Sequence, residues 1–377
     1  MLQNSVRSHS GRGGCYKHTC YGIKSYACME MTPSLACANK CVFCWRHHSN
    51  PVGKEWKWQL DEPEFIIEQG VENHLAMIRQ MKGVPGVRKE RLDDAATIRH
   101  CALSLVGEPI MYPHINRFVD LLHARRISTF LVTNAQFPDR IRDLQPVTQL
   151  YVSVDASTPE ALKAVDRPLF KDYWERFLAS LEAIGKKQTR TVYRLTLIKA
   201  WNMEEIANYA SLIARGTPEF IEIKGVTFCG ASDASSLTMK NVPFHHEVLH
   251  FAQELLKYIA EDYEIACEHA HSCMIVIAHK KFRIDGAWHT WIDYDKFHAL
   301  IAEGRPFTSL EYAARTPDWA VWGAAEAGFD PAEERVYVKG AKKRELSQAG
   351  GASDAGSVAG DHHDQFELDV DAVNGGC

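Results

Sequence analysis

The middle of the chain alternates between two patterns of hydrophobic and polar positions. Short apolar runs rich in β-branched residues predict buried strands, and between them apolar residues recur at helical spacing. The predicted strands are roughly Ile98–Val106, Thr129–Thr133, Leu150–Asp155, Val192–Ile198, Phe220–Val226 and Glu264–Cys267. The predicted helices are Pro63–Met81, Ile115–Arg125, Tyr173–Ile184, Glu204–Ala214 and His245–Tyr258. Such alternation favours βαβ units, right-handed crossovers and a buried parallel sheet.

The pattern changes after these units to one that predicts a β-hairpin. Met274–Ala278 and the following F-R-I-D-G-A-W-H-T-W would supply its strands, with a type I′ turn at Asp285–Gly286. No apolar run reaches the roughly 18 residues of a membrane-spanning helix, so we expect no membrane association.

Composition changes this picture in one respect, the number of cysteines. The 377 residues are 46% hydrophobic and 24% charged, which is typical of a globular protein. Eleven cysteines in a chain of this length, without a signal peptide, favour metal ligation in a reducing compartment over disulfides. We therefore expect a cytoplasmic protein, with a mitochondrial leader in the basic start MLQNSVRSHSGRGG as the alternative.

Charge is distributed unevenly along the chain. Residues 1–60 hold eight basic side chains and two acidic ones, which suits a polyanionic partner. An ordinary solvated surface is the alternative. Residues 345–377 hold seven acidic side chains and no Lys or Arg. Because this tail is rich in Ala, Gly and Ser, we expect it to be disordered.

Three cysteines form the most informative motif, C-A-N-K-C-V-F-C, with Phe43 directly before the last thiol. Cys37, Cys41 and Cys44 can hold three corners of a 4Fe–4S cluster, leaving one iron open. The alternatives are buried free thiols or a zinc knuckle, which usually needs a second cysteine pair. The motif resembles that of radical-SAM enzymes, in which S-adenosylmethionine (SAM) binds the open iron. With βαβ alternation, this resemblance predicts an α/β fold with a partial (βα)6 barrel.

Polar residues follow the predicted strands, where the active site of such a barrel lies. Gly107-Glu108-Pro109 resembles the radical-SAM segment that binds the SAM amino group; the glycine permits close backbone approach, and the carboxylate can accept from an ammonium. The other candidate cofactor contacts are Thr133, Asn134, Ser153 and Asp155, and weaker candidates are Lys199, Glu222 and Lys224. Ser153 and Asp155 could reach ribose or carboxylate groups of SAM, or could instead cap the following helices.

Longer segments resemble the tRNA 4-demethylwyosine synthase family, in its eukaryotic branch. They are Gly14–His48, Ser104–Pro113, Leu131–Pro138, Tyr151–Ser157, Asp166–Trp174, Arg194–Asn202, Ile221–Gly230 and Thr316–Pro331. They occur in the family's order and span about residues 12–340. The resemblance implies four regions: an N-terminal segment (1–33), the barrel (34–300), a wyosine-formation segment (301–340) and the tail (341–377).

The resemblance also implies a reaction. A SAM-derived radical would abstract hydrogen from the methyl group of N1-methylguanosine in the anticodon loop of tRNA-Phe. The methylene radical would then add to pyruvate, and loss of the pyruvate C1 with ring closure would form 4-demethylwyosine. Radical chemistry suits an unreactive methyl group, and loop bases can be splayed out of their stack.

The family holds pyruvate at a second 4Fe–4S cluster bound by three upstream cysteines. Cys15 and Cys28 match two of these, but Leu2 stands where the first is expected, and Cys20 is the nearest substitute. Lys17 matches the lysine suspected of holding pyruvate; phosphate binding or a solvated position are its alternatives. We therefore expect SAM cleavage but little product from these 377 residues.

The electron source is a further departure from the family pattern. Eukaryotic relatives carry a flavodoxin-like domain with FMN ahead of the radical-SAM region, and no phosphate-binding loop precedes Cys15 here. We expect either a chain that is part of a longer protein or a separate reductase. A non-catalytic tRNA-binding paralogue and a different radical-SAM enzyme are the remaining alternatives.

Overall fold

The structure is a computed structural model that describes residues 14–44, 51–85, 87–104, 106–230 and 235–332. The predicted acidic tail and the possible leader lie outside these residues. The helices are α1 (Tyr16–Tyr21), α2 (Pro63–Gln80), α3 (Lys89–Ala95), α4 (Ile115–Ala124), α5 (Pro138–Asp143), α6 (Pro159–Asp166), α7 (Tyr173–Ile184), α8 (Ile206–Gly216), α9 (His245–Ile259) and α10 (Tyr294–Glu303). The strands are β1 (Cys28–Met31), β2 (His100–Leu103), β3 (Ser128–Thr133), β4 (Gln149–Ser153), β5 (Arg190–Leu197), β6 (Phe220–Gly225), β7 (Tyr263–His269), β8 (Met274–His279), β9 (Arg283–Ile284), β10 (Ala287–Trp288), β11 (Trp291–Ile292) and β12 (Ala313–Ala314).

Strands β1 to β6 lie side by side in sequence order, and each pairs in parallel with the next. Helices occupy each connection between them, as the alternating pattern predicts. The expected partial (βα)6 barrel is therefore confirmed. Its first strand, β1, ends six residues before Cys37, so the cysteine motif follows β1 directly, also as expected.

The last predicted strand departs from the expectation of a parallel sheet. The run predicted as Glu264–Cys267 is observed as β7, which pairs antiparallel with β8, and β8 pairs antiparallel with β6. Only the short 3-10 turn Ala270–Ser272 joins β7 to β8. A parallel pairing needs a crossover of about a dozen residues or more, so this connection permits only an antiparallel one.

The predicted hairpin is correct in its turn and wrong in one strand. Met274–Ala278 belongs to the main sheet, and the hairpin consists of β9 and β10. Its turn residues Asp285 and Gly286 have φ values of 49° and 79°. Positive φ at both central positions is the geometry of a type I′ turn, so that part of the prediction is confirmed.

Alternate residues of the sheet face two separate apolar layers. Side chains such as Phe130, Tyr151 and Phe220 pack inside the barrel, together with residues of α1 and α10. Leu131 and Leu150, one position along, pack outward against the helices. Because the strand period is two, polar residues in step with the inner set also point into the barrel. No helix among the described residues is long and apolar enough to cross a lipid bilayer.

Candidate functional site

The loop that carries Cys37, Cys41 and Cys44 lies at the carboxyl end of β1 and is held by main-chain contacts. Gly53 N donates to Cys37 O at 3.1 Å. Three more backbone hydrogen bonds join it to residues 165–169: Lys40 N to Asp166 O (2.9 Å), Val42 N to Val165 O (2.9 Å) and Leu169 N to Ala38 O (2.8 Å). Phe43, half-buried, packs against the apolar cluster around Val42. The loop geometry is thus set by a segment far away in sequence.

Amide donors at Cys37 suit a thiolate ligand, whereas burial at Cys41 favours the protonated thiol. Cys37 is buried, and its Sγ accepts from Asn39 N and from Asn134 Nδ2, both at 3.4 Å. Burial raises the pKa of Cys41, with the neighbouring Asp166, Cys37 and Cys44 adding to that shift. No three side chains among the described residues are arranged to hold a single metal ion. A cubane makes a different demand, because each thiolate binds its own iron, and donors to sulfur are typical of such clusters.

Gly107 allows the loop after β2 to contact the cysteine loop. Its φ is 74°, and a Cβ there would lie 2.0 Å from Ser34 O. The next residue, Glu108, donates its N–H to Ala36 O at 2.8 Å. Pro109 is buried and begins a 3-10 turn. Only glycine accommodates both this backbone conformation and this approach, so Gly-Glu-Pro is fastened beside the three cysteines.

Glu108 presents a carboxylate oxygen suited to a cationic group. The residue is 1% exposed, and its Oε2 accepts from Asn134 N at 2.8 Å. Oε1 is buried and has no hydrogen-bond partner in the part of the chain that the structure describes. Burial raises the pKa of Glu108 to about 7, against the lowering effect of the Asn134 N–H. A bound ammonium would supply the missing partner, as predicted for the SAM amino group.

Ser153 is the last residue of β4, and Asp155 lies two residues after it. Asp155 Oδ1 accepts from Thr196 N at 3.1 Å, and burial raises its pKa to about 6. The helix that follows, α6, begins after Thr158, whose hydroxyl accepts from Ala161 N. Asp155 therefore does not cap that helix, and the capping alternative is wrong for it. Ser153 is half-buried and pairs in register with Arg194.

A charged pair inside the barrel connects the sheet to α1. Arg194 Nε lies 3.3 Å from Glu222 Oε1, and Glu222 is fully buried. Tyr16 of α1 donates its hydroxyl to the same oxygen at 2.8 Å, and Tyr21 donates to Oε2 at 3.4 Å. Burial raises the pKa of Tyr16, so its phenol stays protonated and able to donate. Glu222 thus holds α1 against β5 and β6.

Helix α1 brings the predicted second-cluster residues to the barrel. Cys15 directly precedes the helix, Cys28 begins β1, and both half-buried side chains pack against the inner apolar layer. Lys17 is 7% exposed, so the solvated alternative is wrong for it.

Two other candidate residues lie at strand ends. Thr133 is fully buried at the end of β3. Lys224 donates to Thr227 Oγ1 at 3.1 Å.

Cys20, the possible third ligand, lies in different surroundings. It has no exposed surface, and burial together with a hydrogen bond to Cys267 raises the pKa of its thiol. Cys267 Sγ lies 3.4 Å from Thr290 Oγ1, which donates to Cys20 O at 2.7 Å. A thiol enclosed among these neighbours packs as a core residue, so its position argues against cluster ligation.

Comparisons with known proteins agree with this geometry. The family described as radical SAM superfamily matches residues 31–213, and that described as wyosine base formation matches residues 215–279. The S-adenosyl-L-methionine-dependent tRNA 4-demethylwyosine synthase TYW1 of Xenopus laevis is 62% identical over 88% of this chain and 46% of its own length. The Oryza sativa subsp. japonica synthase is 64% identical, over 86% and 50%. The chain belongs to the tRNA 4-demethylwyosine synthase family.

Two solved structures resemble the fold of this family member. A TYW1 structure with a lysine-pyruvate adduct bound has a TM-score of 0.64 and 29% identity, covering 74% of this chain and 88% of its own. An archaeal TYW1 crystal structure has a TM-score of 0.60 and 26% identity, covering 75% and 89%. The chain spans about half the length of the curated relatives it matches. The wyosine base formation match lies upstream of residues 301–340, where the resemblance placed the wyosine-formation segment.

Membership of the radical-SAM superfamily implies SAM and a 4Fe–4S cluster, and the three closely spaced thiols, with two amide donors to Cys37 Sγ, fit that group. Some site residues were absent from the sequence prediction. Arg194 and Tyr16 lie inside the barrel, and Asn39 donates to Asp166 Oδ2 at 3.3 Å beneath the cysteine loop. Alternation along β5 could have indicated Arg194, because it is in step with inward Val192. Nothing in the sequence indicated which distant residue Tyr16 would contact.

Proposed function

We propose that this chain is the radical-SAM part of a tRNA 4-demethylwyosine synthase. It would condense two carbons of pyruvate with N1-methylguanosine in the anticodon loop of tRNA-Phe. The observation that carries the proposal is that one barrel holds both elements: the Cys37–Cys44 loop follows β1, and the helix that carries Lys17 packs against the inner side of the sheet. Sequence identity of 62% with the Xenopus laevis synthase supports the same activity.

A continuous set of interactions links these two elements. Tyr16 contacts Glu222, and Glu222 pairs with Arg194. The charge of Arg194 partly offsets the effect of burial on the pKa of Asp155. Burial and then Asp155 raise the pKa of Asp166, which lies beside Cys41. A group held by Lys17 and a group held by the cysteine loop would therefore face the same interior.

The chain's residues would act mainly by positioning. Cys37, Cys41 and Cys44 would hold the cluster, and the carboxylate of Glu108 would bind the amino group of SAM. The bound cluster and SAM supply a deoxyadenosyl radical able to abstract hydrogen from a methyl group. The barrel wall around the buried Asp155 would exclude water from that hydrogen transfer.

Lys17 is proposed to hold pyruvate. A related TYW1 structure contains a lysine-pyruvate adduct, and Lys17 is buried at the helix that closes the barrel. The Lys17 amine would condense with the keto carbon of pyruvate to form an imine, and one water would be lost. Hydrolysis of the imine would later release the amine. A second 4Fe–4S cluster is proposed on Cys15 and Cys28, with a third ligand other than Cys20.

The proposed reaction also needs an electron donor and a reducing compartment. A flavodoxin-like domain or protein with FMN would reduce the SAM cluster. The cytoplasm is the proposed compartment, because its reducing conditions preserve thiolate ligands.

The test uses the chain together with any residues its gene encodes upstream, reconstituted anaerobically with iron and sulfide. SAM, a reductant, ¹³C-labelled pyruvate and tRNA-Phe containing N1-methylguanosine are supplied, and nucleosides are analysed by mass spectrometry. Labelled 4-demethylwyosine is expected from the unchanged protein, and Lys17→Ala should retain SAM cleavage without forming it. Borohydride should trap labelled pyruvate on the peptide that contains Lys17.

Two outcomes would contradict the proposal. SAM cleavage without any labelled nucleoside, although both clusters are present by iron count, would exclude the synthase activity. A trapped adduct on another lysine would leave the synthase activity in place and remove the role of Lys17.

A further inference from the structure

We infer that an exposed aromatic and basic surface, formed by Phe244, His246 and Lys199, binds an unpaired base of an RNA loop. We call it the rim platform. The inference rests on the proposed function, because it specifies how the proposed tRNA substrate is held. Its evidence is separate from the cluster and from Lys17.

Phe244 is exposed, yet its ring is held in place. The side chain is 65% exposed directly before α9, and its N–H donates to Glu247 Oε2 at 2.7 Å. The His246 ring lies nearly parallel to it, with centroids 5.8 Å apart and an angle of 10° between planes. Lys199 Nζ lies 4.7 Å from the Phe244 centroid and 2.6 Å from the same Glu247 oxygen. The platform is therefore oriented before any ligand arrives.

The rim platform lies at the carboxyl ends of the barrel strands. Lys199 follows β5, and the segment before Phe244 follows β6, so both lie at carboxyl ends of strands. Two hydrogen bonds join them: Lys199 N to Asn241 O at 2.9 Å and Asn241 Nδ2 to Lys199 O at 3.1 Å. Val226 and Leu237 of the same segment pack against Val42 of the cysteine loop.

The chemistry of the platform matches a single-stranded nucleic acid. Unpaired bases stack on aromatic side chains, whereas paired bases offer no free face. The exposed Lys240 would attract a phosphate beside a stacked base, and Lys199, whose charge Glu247 partly offsets, would keep the Phe244 ring in place. Anticodon-loop bases next to the one that enters the barrel are the unpaired bases within reach of this rim.

Exposure alone does not distinguish Phe244 from other large side chains. Phe65 on α2 and Tyr258 near the end of α9 are 55% and 60% exposed. Tyr258 lies at the opposite end of α9 from Phe244, and Phe65 lies on α2, which packs against β1 rather than β5 and β6. They are therefore controls for loss of an exposed ring outside the platform.

The experiment measures binding of tRNA-Phe that contains N1-methylguanosine to the full chain by fluorescence anisotropy at fixed salt. Phe244→Ala should weaken binding at least about fivefold, because a base stacked on an aromatic ring contributes roughly 1–3 kcal/mol. Phe244→Trp should retain the affinity, and Phe65→Ala and Tyr258→Ala should leave it unchanged. SAM cleavage without tRNA should be the same in all these variants.

The outcomes separate this inference from the proposed function. Unchanged affinity in Phe244→Ala, with tRNA still bound by the unchanged protein, would overturn the rim platform and leave the synthase activity in place. Equal losses in the control variants would also overturn it. Lack of tRNA binding by the unchanged protein would overturn the proposed substrate and the platform together. An isolated anticodon stem-loop should compete for the platform, and a fully paired stem should not; competition by both would contradict base stacking.

Discussion

The cysteine loop and helix α1 both carry cysteines, but they are held in opposite ways. The three thiols of the loop lie within eight residues, so their short spacing alone keeps them close together. Backbone hydrogen bonds to other segments only fix the position of the loop. Helix α1 is only six residues long, and its placement depends on side chains more than 200 positions away. An isolated helix of that length is not stable in water. A local motif thus sets the spacing of one group of cysteines, and a tertiary assembly sets the place of the other.

The C-terminal part of the chain supplies much of what holds α1. Trp291 Nε1 donates to Thr19 O at 2.8 Å, and Thr19 Oγ1 donates to Gly328 O at 2.8 Å. His18 Nε2 lies 2.9 Å from Asp330 Oδ2, with the Trp319 ring stacked beside it. Residues at the two ends of the described chain therefore determine where Cys15 and Lys17 lie.

The largest expected effect tests the loop. Replacing Cys37, Cys41 or Cys44 singly by Ala should abolish formation of 5′-deoxyadenosine, because a cubane that loses one of three thiolates no longer holds SAM at its open iron. Cys101→Ala is the control, since Cys101 is a fully buried thiol in the outer apolar core, away from the cysteine loop. Chromatographic detection of 5′-deoxyadenosine would decide; cleavage retained by all three variants would show that the loop does not hold the cluster.

The second effect concerns the cysteines on and around helix α1. Cys15→Ala and Cys28→Ala should lower the iron count toward about four per chain, the content of one cubane. Cys20→Ala should leave iron unchanged and lower the free energy of unfolding by roughly 1 kcal/mol, because it removes a buried packing atom. Iron and sulfide analysis with thermal unfolding would distinguish these cases. Iron lost on Cys20→Ala would make Cys20 a ligand despite its burial.

A pH dependence tests the contact between the loop and Gly-Glu-Pro. The folded protein holds the pKa of Glu108 at about 7, above its ordinary value, so the carboxyl is mostly neutral below that pH. An ammonium is bound by the ionised form, and SAM affinity should therefore rise with pH through about 7 and then level off. Glu108→Gln should bind SAM more weakly at high pH and without this rise. Calorimetric titration across pH would measure both; a parallel rise in the variant would assign the titration to another group.

The smallest effect concerns the donor to Cys37. Asn134→Ala removes the hydrogen bond from Nδ2 to Cys37 Sγ and should lower the reduction potential of the cluster, because donors to sulfur stabilise the reduced state. Asn208→Ala, which changes an exposed amide on α8, is the control. A redox titration followed by electron paramagnetic resonance would measure the shift. Equal potentials in both variants would show that Asn134 acts only through its backbone contact with Glu108.

Much of the fold was predictable because its signals are local. Buried parallel strands appear as short apolar runs, and the bounds of β3 to β6 lie within about two residues of those predicted. The turn at Asp285 and Gly286 follows from residues that adopt positive φ. The direction of β7 was predicted wrongly, because apolar runs carry no information on pairing direction and only the short connection to β8 decided it.

The site divides in the same way. The three thiols of the cysteine loop and the glycine at Gly107 could be identified from the amino-acid order, since ligand spacing and backbone freedom are local properties. The enclosure of Cys20 beside Cys267, the burial of Lys17 and the contact of Tyr16 with Glu222 became visible in the folded chain. Burial and pairing of charges depend on which distant segments pack together, and that information is spread over the whole chain.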